Sequence, residues 1–127
     1  MPTVSKFEDL EIWKMSRIQA QDIFLLTQHF KNDYALINQI NAAAGSVMDN
    51  IAEGFERFSA KEFCQFLVIS KGSNGEVRSQ LYRAFDRAYI TIEFLNGRLA
   101  YAETLGRKIN SLIIYLKKTE YKKKQLK

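Results

Sequence analysis

The side chains that do chemistry in enzymes are few in this chain and poorly spaced for it. His29 is the one histidine in 127 residues. Near the C-terminal end of an expected helix, it serves the helix dipole more readily than a proton transfer. Cys64, the one cysteine, stands between Phe63 and Phe66 in an apolar helical run, where a thiol without a neighbouring base is a small buried hydrophobe. Gly72-Ser73-Asn74-Gly75 lacks the following Lys and Ser or Thr that would make a glycine loop cradle a phosphate. Repeated Glu-x-x-His and clustered Cys and His, the patterns of metal sites, are missing from the sequence. The reading is a protein that is not an enzyme and uses no cofactor. What remains is a polar set: Gln39, Ser46, Asn50, Glu53, Arg57, Ser73 and Glu76. Four of these, Ser46, Asn50, Glu53 and Arg57, recur at helical spacing beside the apolar Ala43, Val47, Ile51 and Phe55. Polar groups that become buried need partners, so this set is expected to fix register between helices or across a protomer interface, with a ligand site as the alternative. Glu53 and Arg57, four apart, are placed to pair directly.

The elements that must carry these residues are helical. One proline and few glycines in a chain that is 46% hydrophobic and 13% aromatic leave long stretches without breakers and ample core material for one domain. Ser5-Lys6-Phe7-Glu8 has capping-box form and opens a first helix with apolar Leu10, Trp13, Ile23, Phe24 and Phe30, ending near Phe30. Asn32 and Asp33 supply turn and cap chemistry for a second helix from Tyr34 to Gly54 or Arg57. Ser59-Ala60-Lys61-Glu62 is another capping box. The third helix follows, with Phe63, Phe66, Leu67, Ser70, Val77, Leu81, Phe85 and Ala88 inward, and is expected to be the longest or nearly so. Gly72 and Gly75 sit in its middle, where each costs about 1 kcal/mol relative to alanine. Either a loop splits the helix there, or the helix is continuous and its small residues admit a neighbouring backbone; the unbroken apolar phase through Val77 and Leu81 favours continuity. Thr91 caps a fourth helix, with Asn96-Gly97 a second candidate break, and its stripe runs through Leu95, Leu99, Ala102, Leu105, Ile109, Leu112, Ile113 and Leu116. Four helices on short connections predict an all-α, antiparallel, up-down-up-down four-helix bundle.

The formal charge of +5 is localised. Residues 117–127 hold Lys117, Lys118, Lys122, Lys123, Lys124 and Lys127 against Glu120, whereas residues 1–116 carry thirteen basic and thirteen acidic side chains. The chain therefore divides into a neutral bundle, 1–116, and a basic tail, 117–127. A terminal lysine run serves solubility or contacts phosphate; Arg78, Arg83 and Arg87 on the third helix are the other candidate cations. Tyr82, Tyr89 and Tyr101 are candidate interface anchors or packing residues. No apolar run is long enough for a membrane span and no signal-type segment is present, which with the lone cysteine predicts a cytoplasmic protein with no membrane contact.

The run Phe7-Glu8-Asp9-Leu10-Glu11-Ile12-Trp13-Lys14, then Gln39-Ile40, then Ser46 through Asn50-Ile51-Ala52-Glu53-Gly54 to Arg57, then Ser59 with Lys61-Glu62-Phe63, then Gly72-Ser73 and Glu76, resembles the four-helix-bundle family encoded in intervening sequences of bacterial 23S rRNA genes. The resemblance implies an antiparallel four-helix bundle, a ring-shaped homopentamer and no established enzymatic activity. A related fold occurs in the accessory variability protein of diversity-generating retroelements, which works with a reverse transcriptase and binds nucleic acid. Where the family is expected to place a basic pair after Gln39-Ile40, this chain has Asn41-Ala42. Together these features predict a non-catalytic, self-assembling helical protein, pentameric by resemblance, that binds RNA or DNA through basic surfaces and its lysine tail. The alternative is a protein-binding adaptor or scaffold whose tail is solubilising.

Overall fold

The computed structural model describes residues 4–126, with side chains through Thr119. Its four helices are α1 (Glu11–Leu26), α2 (Tyr34–Phe55), α3 (Ala60–Asp86) and α4 (Ile92–Leu126). Short 3-10 turns, Phe7–Asp9 and Thr27–His29, extend α1 at its two ends.

Three of the four helix starts follow local chemistry. The Asp33 carboxylate accepts from the Leu36 amide, the Ser59 hydroxyl from the Glu62 amide at 3.1 Å, and the Thr91 hydroxyl from the Phe94 amide at 3.3 Å. The first does not. Ser5 caps nothing; the chain makes the 3-10 turn and then restarts as α1 after Leu10, which is extended and has no side-chain cap. Burial decides this, because the turn sets Phe7 edge-on against Trp13 at 5.2 Å and sinks Leu10 into the core. Apolar burial of two such side chains outweighs a cap of about 1 kcal/mol.

Both candidate breaks are spanned by helix. α3 runs unbroken through Gly72 and Gly75, and α4 through Asn96-Gly97. No neighbouring backbone approaches Gly72 or Gly75, since a side chain there would meet open space. α4, at 35 residues, is longer than α3, at 27. Ala88 is not inward: α3 ends at Asp86, and Ala88 sits just beyond in the left-handed region at φ 60°. There the amide of Ala88 bonds to Phe85 and that of Tyr89 to Ala84, a Schellman closure that releases the chain toward α4. Phe24 is also outside the core, half exposed on α1.

Pairs across the helix seams run in opposite chain directions. Gln39 meets Arg83 and Ser46 meets Ser73 between α2 and α3; Glu103 meets Arg78, Asn110 meets Lys71 and Ile113 meets Cys64 between α3 and α4; Asp22 meets Arg98 and Glu11 meets Lys108 between α1 and α4. The core is two apolar clusters. One end holds Ile23, Phe30, Leu36, Ile40, Val77, Leu81 and Leu95, the other Ile12, Val47, Ile51, Leu67, Leu105 and Ile109. Between them lies a buried polar belt of Ser16, Gln19, Ser70, Ser73 and Asn74. Its groups are satisfied: Gln19 Nε2 donates to Asn74 Oδ1 at 3.0 Å, Asn74 Nδ2 to the Ala102 carbonyl at 2.8 Å, and Ser70 Oγ to the Val47 carbonyl at 2.7 Å. Each such bond has a partner in only one register, so the belt sets how the helices slide past one another.

Candidate functional site

The polar residues of α2 and α3 come together on one side of α3. Ser46 Oγ and Ser73 Oγ are 2.8 Å apart, and Asn50 Nδ2 donates to both the carbonyl and the hydroxyl of Ser46. Gln39 Oε1 accepts from Arg83 at 2.7 Å one end further along the seam. Gln39, Ser46, Ser73 and Glu76 then line a shallow cleft of about 390 Å³, with Ala42, Ala43 and Gln80. Glu53 and Arg57 lie beyond the cleft, paired with each other, the guanidinium stacked over Phe66 at 4.8 Å. The bonds of Ser46 with Ser73 and of Gln39 with Arg83 are thus the ones that cross the seam from α2 to α3 here, with Glu76 at an exposed edge. Gln80 joins it unannounced: it is 9% exposed and its Oε1 receives no hydrogen bond. The sequence signal was its position seven residues after Ser73 and four after Glu76, on the same helical face.

The opposite side of α3 carries a cationic cleft. Lys71 and Arg78 from α3 face Glu103, Arg107, Asn110 and Ser111 from α4 around a space of about 570 Å³, with Asn74, Gly75, Ala102 and Gly106 also lining it. At Gly106 a Cβ would stand 3.3 Å from Asn74 Nδ2, a tight contact, so glycine leaves that amide its room. Lys71 Nζ donates to Asn110 Oδ1 at 3.1 Å, Arg107 to Thr104 Oγ1 at 3.2 Å, and Arg78 Nη2 to Glu103 at 3.3 Å. Three cations face one carboxylate. Lys71, Arg107 and Asn110 were not singled out in the sequence, since their proximity depends on the α3–α4 register.

The other candidate cations have partners away from this cleft, a neutral amide for Arg83 and a carboxylate for Arg87. Arg83 is bonded to Gln39, and Arg87 pairs with Asp33 at 2.7 Å. Asp33 also accepts from the Tyr89 hydroxyl at 2.9 Å. Burial opposes ionisation of Asp33, but the bonds from Tyr89, Leu36 and Arg87 outweigh it and hold the carboxyl below its ordinary range. The same bond to Asp33, with burial, pushes the Tyr89 phenol up. Burial raises Tyr101, whose hydroxyl donates to the Met15 carbonyl. Tyr89 and Tyr101 are therefore half-buried packing residues, while Tyr82 is exposed.

Cys64 is buried, with its Sγ 3.8 Å from the Ile113 carbonyl. His29 is exposed on the 3-10 turn after α1. Among the described residues no three His, Cys, Asp or Glu side chains converge to hold a metal ion. Nor is any helix among them long and apolar enough to cross a membrane.

Lys117 and Lys118 are exposed on α4. The backbone of Lys122, Lys123 and Lys124 continues that helix to Leu126. Their side chains, and Lys127 altogether, lie outside the described residues.

A model of the 23S rRNA-intervening sequence protein family matches residues 8–111. The chain belongs to that family. A protein with unknown function from the S23 ribosomal protein family of Bacteroides thetaiotaomicron VPI-5482 has a crystal structure similar to this one, with a TM-score of 0.74 at 22% identity over 80% of this chain and 97% of that chain. At that identity the likeness speaks for the four-helix fold. No curated protein matches the chain. The segment matched to the 23S rRNA-intervening sequence family contains both sides of α3 and stops short of Lys117.

Proposed function

We propose that this chain is a non-catalytic, self-assembling bundle protein of the cytoplasm that binds nucleic acid, RNA or DNA, through basic surface on α3 and α4. The observation that carries the reading is the placement of charge. Arg87, Arg98 and Lys108 are each closed on a carboxylate within 2.9 Å, whereas the cations of the α3–α4 cleft share Glu103. The cleft face continues along α4: Lys118 is eleven residues, about three turns, beyond Arg107. Phosphate binding draws on such a local excess of positive charge through counterion release. Self-assembly is supported by apolar Ile18, Leu25 and Phe94, all about half exposed; Leu25 and Phe94 line a groove between α1 and α4. Five protomers is the number the family resemblance implies.

Sedimentation of the full chain, alone and with a labelled single-stranded oligonucleotide, tests both halves. The expected result is a particle several times the 14.7 kDa chain mass whose oligonucleotide affinity falls steeply between about 50 and 200 mM salt. Deleting residues 117–127 should leave the particle intact and flatten that salt dependence. A monomer would overturn self-assembly, and no binding at low salt would leave the protein-binding adaptor as the reading.

A further inference from the structure

We propose that the α3–α4 cleft is a discrete phosphate-binding site in which Lys71, Arg78 and Arg107 surround one phosphate group. The source named here, a nucleic-acid backbone, rests on the reading above; the cleft chemistry stands apart from it.

Arg78 is the residue that points to a ligand. Its Nε is buried, finds no acceptor and is out of a ligand's reach, but the side chain is otherwise 43% exposed, so the cleft is offered the terminal Nη groups of the guanidinium. Its Nη2 contact with Glu103, at 3.3 Å, is long for a charge-assisted bond, which closes to about 2.7–2.9 Å when well made. The guanidinium is therefore held in place by one weak partner and keeps donor capacity. Arg107 and Lys71 add to this, because both bond only to neutral oxygens, of Thr104 and Asn110, and so keep their charge uncompensated. Gly75 and Gly106 line the cleft without side chains, and a Cβ at Gly75 would touch nothing within 4 Å. An oxyanion with several acceptor oxygens satisfies a planar guanidinium and two flanking cations at once. A neutral ligand could accept hydrogen bonds here but would leave the charge unbalanced, and a cation would be repelled.

The test is oligonucleotide and inorganic phosphate binding by the full chain, with Arg78→Gln, Arg78→Lys, Arg107→Gln and Glu103→Gln variants whose helical content and melting are checked first. Arg78→Gln and Arg107→Gln should each weaken oligonucleotide binding about tenfold and reduce the salt slope by about one unit. Arg78→Lys should keep the slope yet bind more weakly, since it keeps the charge and loses the planar guanidinium with its paired Nη donors. Glu103→Gln should tighten binding, a gain that a misfolded variant cannot imitate. Inorganic phosphate, added at constant ionic strength against chloride, should shift the Arg78 Nε–H resonance. Oligonucleotide binding that is the same in wild type and all four variants would overturn the cleft site and leave nucleic-acid binding to the tail. Phosphate binding without oligonucleotide binding would keep the site, assign it to a free phosphate, and defeat the nucleic-acid reading. Binding of neither would overturn both.

Discussion

Replacing Asn74 with alanine should destabilise the bundle by about 2–4 kcal/mol, because one side chain links three helices through the polar belt. Asn74 is 2% exposed on α3; its Oδ1 accepts from Gln19 on α1 and its Nδ2 donates to Ala102 on α4. The Ala102 carbonyl keeps its helical bond from four residues on, so losing the second bond costs about 1 kcal/mol. Gln19, also 2% exposed, fares worse: its Nε2 is left as a buried donor with no acceptor, a penalty of about 1–3 kcal/mol. Chemical denaturation followed by helical circular dichroism, at one fixed protein concentration, reads the sum as a shift in midpoint at constant slope. The same change made in a Gln19→Met background should cost less, because the stranded donor is already gone, and the difference measures the coupling. A loss below about 1 kcal/mol for Asn74→Ala, or no coupling between the two sites, would refute the belt as a determinant of helix register.

Gly54→Ala should also destabilise, by about 1–2 kcal/mol in the same assay, since overpacking outweighs the helix-propensity gain of about 1 kcal/mol. The new Cβ would stand 2.7 Å from Phe66 Cβ and 2.9 Å from Phe63 Cδ1, so α2 and α3 must separate where they join. The Asp33 cluster makes stability depend on pH at both limbs. Asp33 titrates below its unfolded value of about 3.9, so its contribution is complete above that value and is lost as pH falls through the folded pKa. Tyr89 titrates above about 10, so its contribution is complete below that value and is lost as pH rises through the folded pKa. Asp33→Asn should therefore flatten the acid limb of melting temperature against pH, and Tyr89→Phe the alkaline limb; unchanged limbs would contradict the assigned bonds.

Residue types and periodicity were enough for the local architecture. Asp33, Ser59 and Thr91 cap helices because a short side-chain oxygen beside an apolar period satisfies amides that no helix can satisfy itself. The stripe from Leu95 to Leu116 predicted the face of α4 that packs, whereas of the four polar residues at helical spacing Ser46 alone hydrogen-bonds across to α3, Asn50 bonds back to Ser46, and Glu53 and Arg57 pair with each other. Ser5 misled for the opposite reason: a cap is a weak local preference, and burial of Phe7 and Leu10 overrode it. Ala88 misled because a helical phase continues on paper past the residue where the backbone turns left-handed.

Tertiary structure alone decided which helix faces meet and therefore where charge is left over. Arg78, Arg83 and Arg87 look equivalent in the sequence, three arginines on one helix. In the fold Arg87 pairs with Asp33 and Arg83 bonds to the neutral Gln39 amide, while Arg78 faces α4 and shares the Glu103 carboxylate with Lys71 and Arg107 around one cleft. Lys71 reaches Asn110, far along the chain, and Gln80 joins the seam of Ser46 and Ser73, only after the polar belt has set the slide of each helix on the next. Helical periodicity assigns a residue to a face and says nothing of its height relative to another helix. That height comes from long-range burial and from buried hydrogen bonds that close in one register.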